Sequence, residues 1–102
     1  MKKYIAFIGL NDKDSKNQEI STIDAFKIVS NLACKFIGYG TITESRGIYT
    51  HDNGDIVEET TLRCEFSGAE LEAVKAFCEC AKKALNQESI GLEVVNSNFD
   101  FV

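Results

Sequence analysis

Residues 47–59 read Gly-Ile-Tyr-Thr-His-Asp-Asn-Gly-Asp-Ile-Val-Glu-Glu and hold the only histidine of the chain, His51, beside Asp52, Asp55, Glu58 and Glu59. Gathered in one site, such residues could move a proton, hold a hard cation or grip a charged ligand. Each chemistry sets a condition. A lone His51 acting as a general base needs an orienting carboxylate and shelter from water. Glu58 and Glu59 are neighbours; on a strand they point to opposite faces, so they cannot work as a glycosidase pair. Phosphodiesterases with paired His-x-Thr motifs need a second histidine. The Gly38-Tyr39-Gly40 stretch lacks the lysine and following helix of a phosphate cradle. Cys78 and Cys80 stand about 200° apart around a helix and cannot share a metal. Asp12 and Asp14 resemble the start of a calcium loop, but Lys16 falls where a third oxygen ligand belongs. No catalytic set, metal site or cofactor is expected. A small hydrolase using Glu59 and His51 stays as an alternative.

The elements that would position these residues follow from periodicity. Residues 3–10, Lys-Tyr-Ile-Ala-Phe-Ile-Gly-Leu, form a strand with Tyr4, Ala6, Ile8 and Leu10 on one face and Ile5 and Phe7 on the other. Apolar character on both faces predicts a central strand. Residues 11–19 read as a solvated connector. Ser21, three positions before Asp24, opens a helix whose stripe is Ile23, Phe26, Val29, Ala33 and Phe36, broadened by Ile28 and Leu32 and stopped at Gly38. Two Thr-, Ile- and Val-rich runs flank Asn53-Gly54, the sequence of a type I′ hairpin turn, which puts His51, Asp52 and Asp55 at its tip. In the second run Ile56, Thr60, Leu62, Cys64 and Phe66 share the face that meets the helices, opposite Val57, Glu59, Thr61, Arg63 and Glu65. Of these, Glu59, Arg63 and Glu65 are expected to form a charge ladder. A second helix presents Leu71, Val74, Phe77, Cys78, Ala81 and Leu85 on one side. The last segment, residues 90–102, is a strand broken by Asn96-Ser97-Asn98.

The order β-α-β-β-α-β, under the right-handed crossover rule, predicts one α+β domain over residues 1–102: a ferredoxin-like, four-stranded antiparallel sheet with both helices on one face. With 102 residues and a formal charge of −5, the chain can bury a single core and repels phosphate backbones, so direct nucleic-acid binding is not expected. Lys2-Lys3 precede an apolar run without a cleavage site, and no segment is long enough to span a membrane. The chain is therefore placed in the cytoplasm, with its four cysteines reduced.

Gly40, Thr43, Gly47, Tyr49, Gly54, Glu58 or Glu59, and Gln87-Glu88-Ser89 resemble the pattern of a family of small bacterial and phage proteins known only as a domain of unknown function. The resemblance implies a ferredoxin-like layout and no particular activity.

Because two helices cover one face of a sheet whose central strand is apolar on both, the open face needs a cover. A second copy is the expected one, giving a homodimer through that face. The expected function is a non-enzymatic binding module that captures a small anionic ligand or a protein. Arg46, His51 and Arg63 would be donors, Tyr49 the stacking ring, and Glu59 part of the cleft. A phage-type inhibitor that masks a host defence protein, or sequesters its nucleotide signal, is the rival.

Overall fold

The computed structural model describes residues 1–102. Strand β1 (Lys2–Gly9) leads through a loop to helix α1 (Thr22–Phe36), then β2 (Thr41–Thr50), β3 (Ile56–Ser67), helix α2 (Leu71–Ala84) and β4 (Gly91–Asn96). The sheet order is β2-β3-β1-β4 and every pairing is antiparallel. This is the ferredoxin-like α+β layout, with β1 and β3 central.

Alternation sorts the residues by face. Tyr4, Ala6 and Ile8 pair with Phe66, Cys64 and Leu62. All six are buried beneath the helices, with Val74, Phe77 and Ala81 of α2 opposite. Phe66 and Phe77 meet edge to face at 5.1 Å, the arrangement that ring quadrupoles favour. Helix α1 buries Ala25, Val29 and Ala33, while Ile23 and Phe26 stay exposed. The apolar stripe is thus rotated from the expected one: small residues at four-residue spacing let the helix lie close, and the bulkier pair is turned outward. Ser21 accepts a hydrogen bond from the Asp24 amide at 3.1 Å, and Gly38, at φ 96°, closes the helix with its amide on the Ala33 carbonyl.

The β2–β3 turn differs from expectation. A type I′ turn needs positive φ at both central residues, and only Gly54 has it (φ 92°). The Gly54 amide donates to the His51 carbonyl at 2.9 Å and the His51 amide to the Asp55 carbonyl at 2.8 Å. This is the three-residue loop in which a turn is followed by a left-handed residue. Asn53 selects it: its Oδ1 accepts from the Asp55 amide and its Nδ2 donates to the Asp55 carboxylate, each at 3.0 Å.

Pairing of β1 with β3 ends at Gly9–Thr61, whereas β2 continues beside β3 to Thr50–Ile56. The far ends of β2 and β3 therefore project as a two-stranded arm, which helps give the molecule its 46 × 25 × 24 Å dimensions.

The uncovered face is less greasy than its sequence suggests. Ile5 is only 3% exposed without any partner, and Phe7 is 38% exposed, with the Arg63 guanidinium 6.0 Å from its ring centre. Lys3 and Glu65 pair at 2.9 Å, and Arg63 reaches Glu65 at 3.6 Å. The Lys3 ammonium holds the Glu65 carboxyl below the usual range, chiefly by its hydrogen bond. Glu59 takes no part in this ladder. The argument for a covered open face narrows to Phe7.

Candidate functional site

At the end of the sheet where β1 finishes, four segments enclose a cleft of about 400 Å³. The arm supplies Tyr49, His51, Val57 and Glu59. The β1–α1 loop supplies Asn11 to Lys13 and Lys16, and the α2–β4 turn supplies Gln87, Glu88 and Ser89.

Glu59 is placed by what its neighbours lack. Gly47 is its partner across β2 and β3, and Gly9 ends the adjoining strand opposite Thr61. A Cβ on Gly9 would overlap the Glu59 carboxylate, and one on Gly47 would lie 2.9 Å from Thr61 Oγ1. The half-buried side chain thus lies in the space that Gly9 leaves, while Gly47 makes room for the Thr61 hydroxyl beside it. Its Oε2 accepts from the Asn11 amide at 3.1 Å, and Oε1 has no partner within the chain. The ring of Tyr49 stands on the same face of the arm, with His51 edge-on at 5.2 Å.

Hydrogen bonds between distant segments hold the opposite wall. Gln87 is 9% exposed, and its amide donates to the Asn11 carbonyl at 2.8 Å and to the Leu85 carbonyl at 3.2 Å. Asn86, at φ 47°, donates to Asp12 at 2.8 Å and Asp14 at 2.9 Å. The Asp12 carboxylate also accepts from the Asp14 and Ser15 amides at 2.9 and 3.0 Å. These donors, Asn86 foremost, hold its carboxyl below the ordinary range. The loop read as a solvated connector is a tied one.

Of the expected site residues, the structure brings together Tyr49, His51 and Glu59. Arg46 lies on the other face of the arm, 3.4 Å from Glu58 and 3.2 Å from the Thr60 hydroxyl. Arg63 sits mid-sheet against Phe7 and Glu65. Neither arginine lines the cleft, which instead has Asp12, Glu59 and Glu88 as its acids and Lys13 and Lys16 as its bases. Gln87, Glu88 and the loop residues escaped the sequence-based set. The Gln-Glu-Ser motif was the only signal for this wall. The four cysteines are free; burial pushes Cys64 up to about 12 and Cys78 to about 11.

A wider recess of about 920 Å³ lies at the other end of the sheet, between Lys3, Tyr39, Thr41 and Glu65 and the C-terminal Phe99 and Phe101. Its walls include the exposed chain end, and its one pair of opposite charges, Lys3 and Glu65, is already joined at 2.9 Å. The first cleft is the stronger candidate.

No protein-family model and no curated protein sequence matches the chain. Among solved structures it is similar to a phage SAM lyase in complex with S-methyl-5′-thioadenosine, with TM-score 0.69, 21% identity, and coverage of 92% of this chain and 79% of that one. A phage SAM lyase in the apo state gives TM-score 0.62 and 19% identity over 92% of this chain and 78% of that one. CutA from Synechococcus elongatus gives TM-score 0.59 and 12% identity over 94% and 75%. At these identities the likeness is one of fold. No helix is long and apolar enough to cross a membrane.

Proposed function

We propose that the cleft binds an adenosyl sulfonium compound, S-adenosylmethionine, and cleaves it to S-methyl-5′-thioadenosine. The observation that carries this reading is the half-buried Glu59 carboxylate, laid over Gly9 with one oxygen unpartnered, facing a cleft shared with Tyr49. The fold it shares with the phage SAM lyase supports the choice of ligand.

The reaction breaks the bond between sulfur and the γ-carbon of the amino-acid tail. The electron pair goes to sulfur, which changes from cation to neutral thioether, while the γ-carbon either gains a bond to the tail's own carboxylate oxygen, closing a lactone, or joins a double bond as the β-carbon gives up a proton to a base. Because positive charge disappears in the transition state, a carboxylate pressed against sulfonium would favour the reactant and slow the step. The better role for Glu59 is to accept from the ribose hydroxyls, as acidic residues do in nucleotide-binding folds. The face of the Tyr49 ring suits the sulfonium, where a cation–π contact is weaker and more easily given up. The net acidic lining fits a cationic nucleoside better than the small anion expected from the arginines. The enzymatic alternative thus keeps Glu59 and His51 in the cleft, with elimination or internal displacement in place of hydrolysis.

The test is incubation of the purified protein with S-adenosylmethionine, followed by mass spectrometry for S-methyl-5′-thioadenosine and the four-carbon product. Release above the spontaneous rate, reduced about 10²-fold or more in Glu59→Ala, is the expected result. No release, together with no binding of the thioether product by calorimetry, sinks the reading.

Self-association is a second reading, favoured by exposed Ile48 and Ile56, 71% and 74% accessible. They lie diagonally across an arm of the kind that is marginal without further cover. In this reading the homodimer forms through the arm as well as the open face, and native mass spectrometry reports it; a monomer at all micromolar concentrations rules it out.

A further inference from the structure

The cleft carries two charges of the opposite sign to its acids, and both sit on one loop. Lys13 and Lys16 line its rim, and neither belongs to any of the ion pairs in the chain. The nearest acids in sequence are already engaged: Asp12 with Asn86 and the Asp14 and Ser15 amides, Asp14 with Asn86. The Lys16 ammonium donates once, to the Lys13 carbonyl at 2.6 Å, which leaves two of its three protons free.

The loop is fixed rather than draped. The Lys13 amide donates to the Asn86 carbonyl at 3.0 Å, the Lys16 amide to the Asp12 carbonyl at 2.9 Å and the Asp12 amide to the Asn17 carbonyl at 2.8 Å. Lys16 and Asn86 are the two non-glycine residues with positive φ, a conformation that costs free energy. They fall in the two loops that meet at this cleft.

We propose that Lys13 and Lys16 form a rim subsite for the carboxylate of an amino-acid tail, so that the cleft prefers a nucleoside thioether or sulfonium ending in a zwitterion over one without a carboxylate. This rests on the nucleoside reading of the cleft. Half-buried Asp12 and Glu59 beside exposed ammonium groups match a ligand whose cationic or hydroxyl-bearing part enters first and whose carboxylate stays at the mouth. The same pattern explains how an acidic chain admits a ligand carrying a carboxylate.

Calorimetry with three uncleavable probes tests it: S-adenosylhomocysteine, its decarboxylated analogue 5′-(3-aminopropylthio)adenosine, and S-methyl-5′-thioadenosine. The wild-type protein should bind S-adenosylhomocysteine about 5- to 10-fold tighter than the decarboxylated analogue. The double variant Lys13→Met, Lys16→Met should lose that preference and keep its affinity for S-methyl-5′-thioadenosine within about 2-fold. Both lysines are exposed, so the variant should fold, and its melting curve verifies this. Equal binding of the two tailed probes by the wild type, or a preference that survives in the double variant, overturns the subsite. Failure of S-methyl-5′-thioadenosine to bind the wild type overturns the nucleoside reading itself.

Discussion

Gly9 and Gly40 lie at opposite ends of the same sheet, and each leaves room for one side chain. At Gly9 the room is taken by the Glu59 carboxylate, and at Gly40 by the Phe66 ring, 2.6 Å from where a Cβ would stand. The first occupant is the far end of a flexible chain in an open cleft. The second is a fully buried ring held by Phe77. One sheet has thus used the same omission twice, once to lay a polar group across an open cleft and once to seal the core.

The largest expected effect separates these two uses. Gly40→Ala forces the ring into a filled core and should destabilise by ~1–3 kcal/mol, lowering the melting temperature by roughly 4–8 °C per kcal/mol. Gly9→Ala only pushes the carboxylate aside, so stability should change by less than ~0.5 kcal/mol. Binding of S-methyl-5′-thioadenosine should nonetheless weaken at least ~10-fold, equivalent to ~1.4 kcal/mol. Melting curves and calorimetry on both variants check the pair. A Gly9 variant that melts early but binds normally would erase the distinction.

Next in size is the staple between the two loops of the cleft. Asn86→Ala removes two hydrogen bonds to carboxylates and places a Cβ-bearing residue without compensation at φ 47°; a loss of ~1–2 kcal/mol is expected. Asn86→Gly removes the same bonds but tolerates the backbone, so it should lose less. The difference between the two melts measures the strain alone.

Acid should act on both ends of the sheet with the same sign. Asp12 at the cleft and Glu65 on the open face have carboxyls held below their unfolded values by Asn86 and Lys3 respectively. Their stabilisation is present above the ordinary carboxylate range and is lost as pH falls through the depressed native value. Asn86→Ala should flatten the acid limb of the stability curve from one end, and Lys3→Met from the other, each by a small amount because solvent reaches and screens both half-buried sites. Alkali acts on the core instead: Cys64 is raised to about 12. The native state therefore keeps a proton that the unfolded thiol releases, and stability falls as pH rises from 9 toward 12. Cys64→Ala should remove that part of the alkaline slope.

The frame was legible because its signals are local or alternate strictly. Ile5 and Phe7 opposite Ala6 and Ile8 made β1 central, and the period of Val74, Phe77 and Ala81 marked the covering helix. Asn53-Gly54 marked the hairpin but not its turn type, because the Asn53 amide bonds to Asp55 hold a different backbone. The candidate cleft was legible only where one strand pair lines it, at Tyr49, His51 and Glu59. Its other wall joins Asp12 to Asn86, 74 residues apart, and nothing in either segment alone announces the meeting. Arg46 and Arg63, expected as ligand donors, lie outside the cleft beside Glu58 and Glu65; the Arg63–Glu65 pair follows from their shared strand face, the Arg46–Glu58 pair only from the register between strands.

The smallest effect concerns the chain end beyond β4. Ser97 still pairs with Met1, its amide on the Met1 carbonyl at 3.0 Å, but the residues after it leave the sheet. Phe99 and Phe101 stack edge to face at 5.1 Å while remaining 52% and 89% exposed. Two rings that mainly cover each other withdraw little apolar surface from water relative to the unfolded chain, and ordering them costs side-chain entropy of comparable size. Deleting residues 99–102 should therefore move stability by less than ~0.5 kcal/mol and leave binding at the distant cleft unchanged. A markedly larger loss by thermal melting would mean that these rings seal the recess above Lys3 and Glu65 against water, making the two ends of the sheet alike in packing rather than opposed.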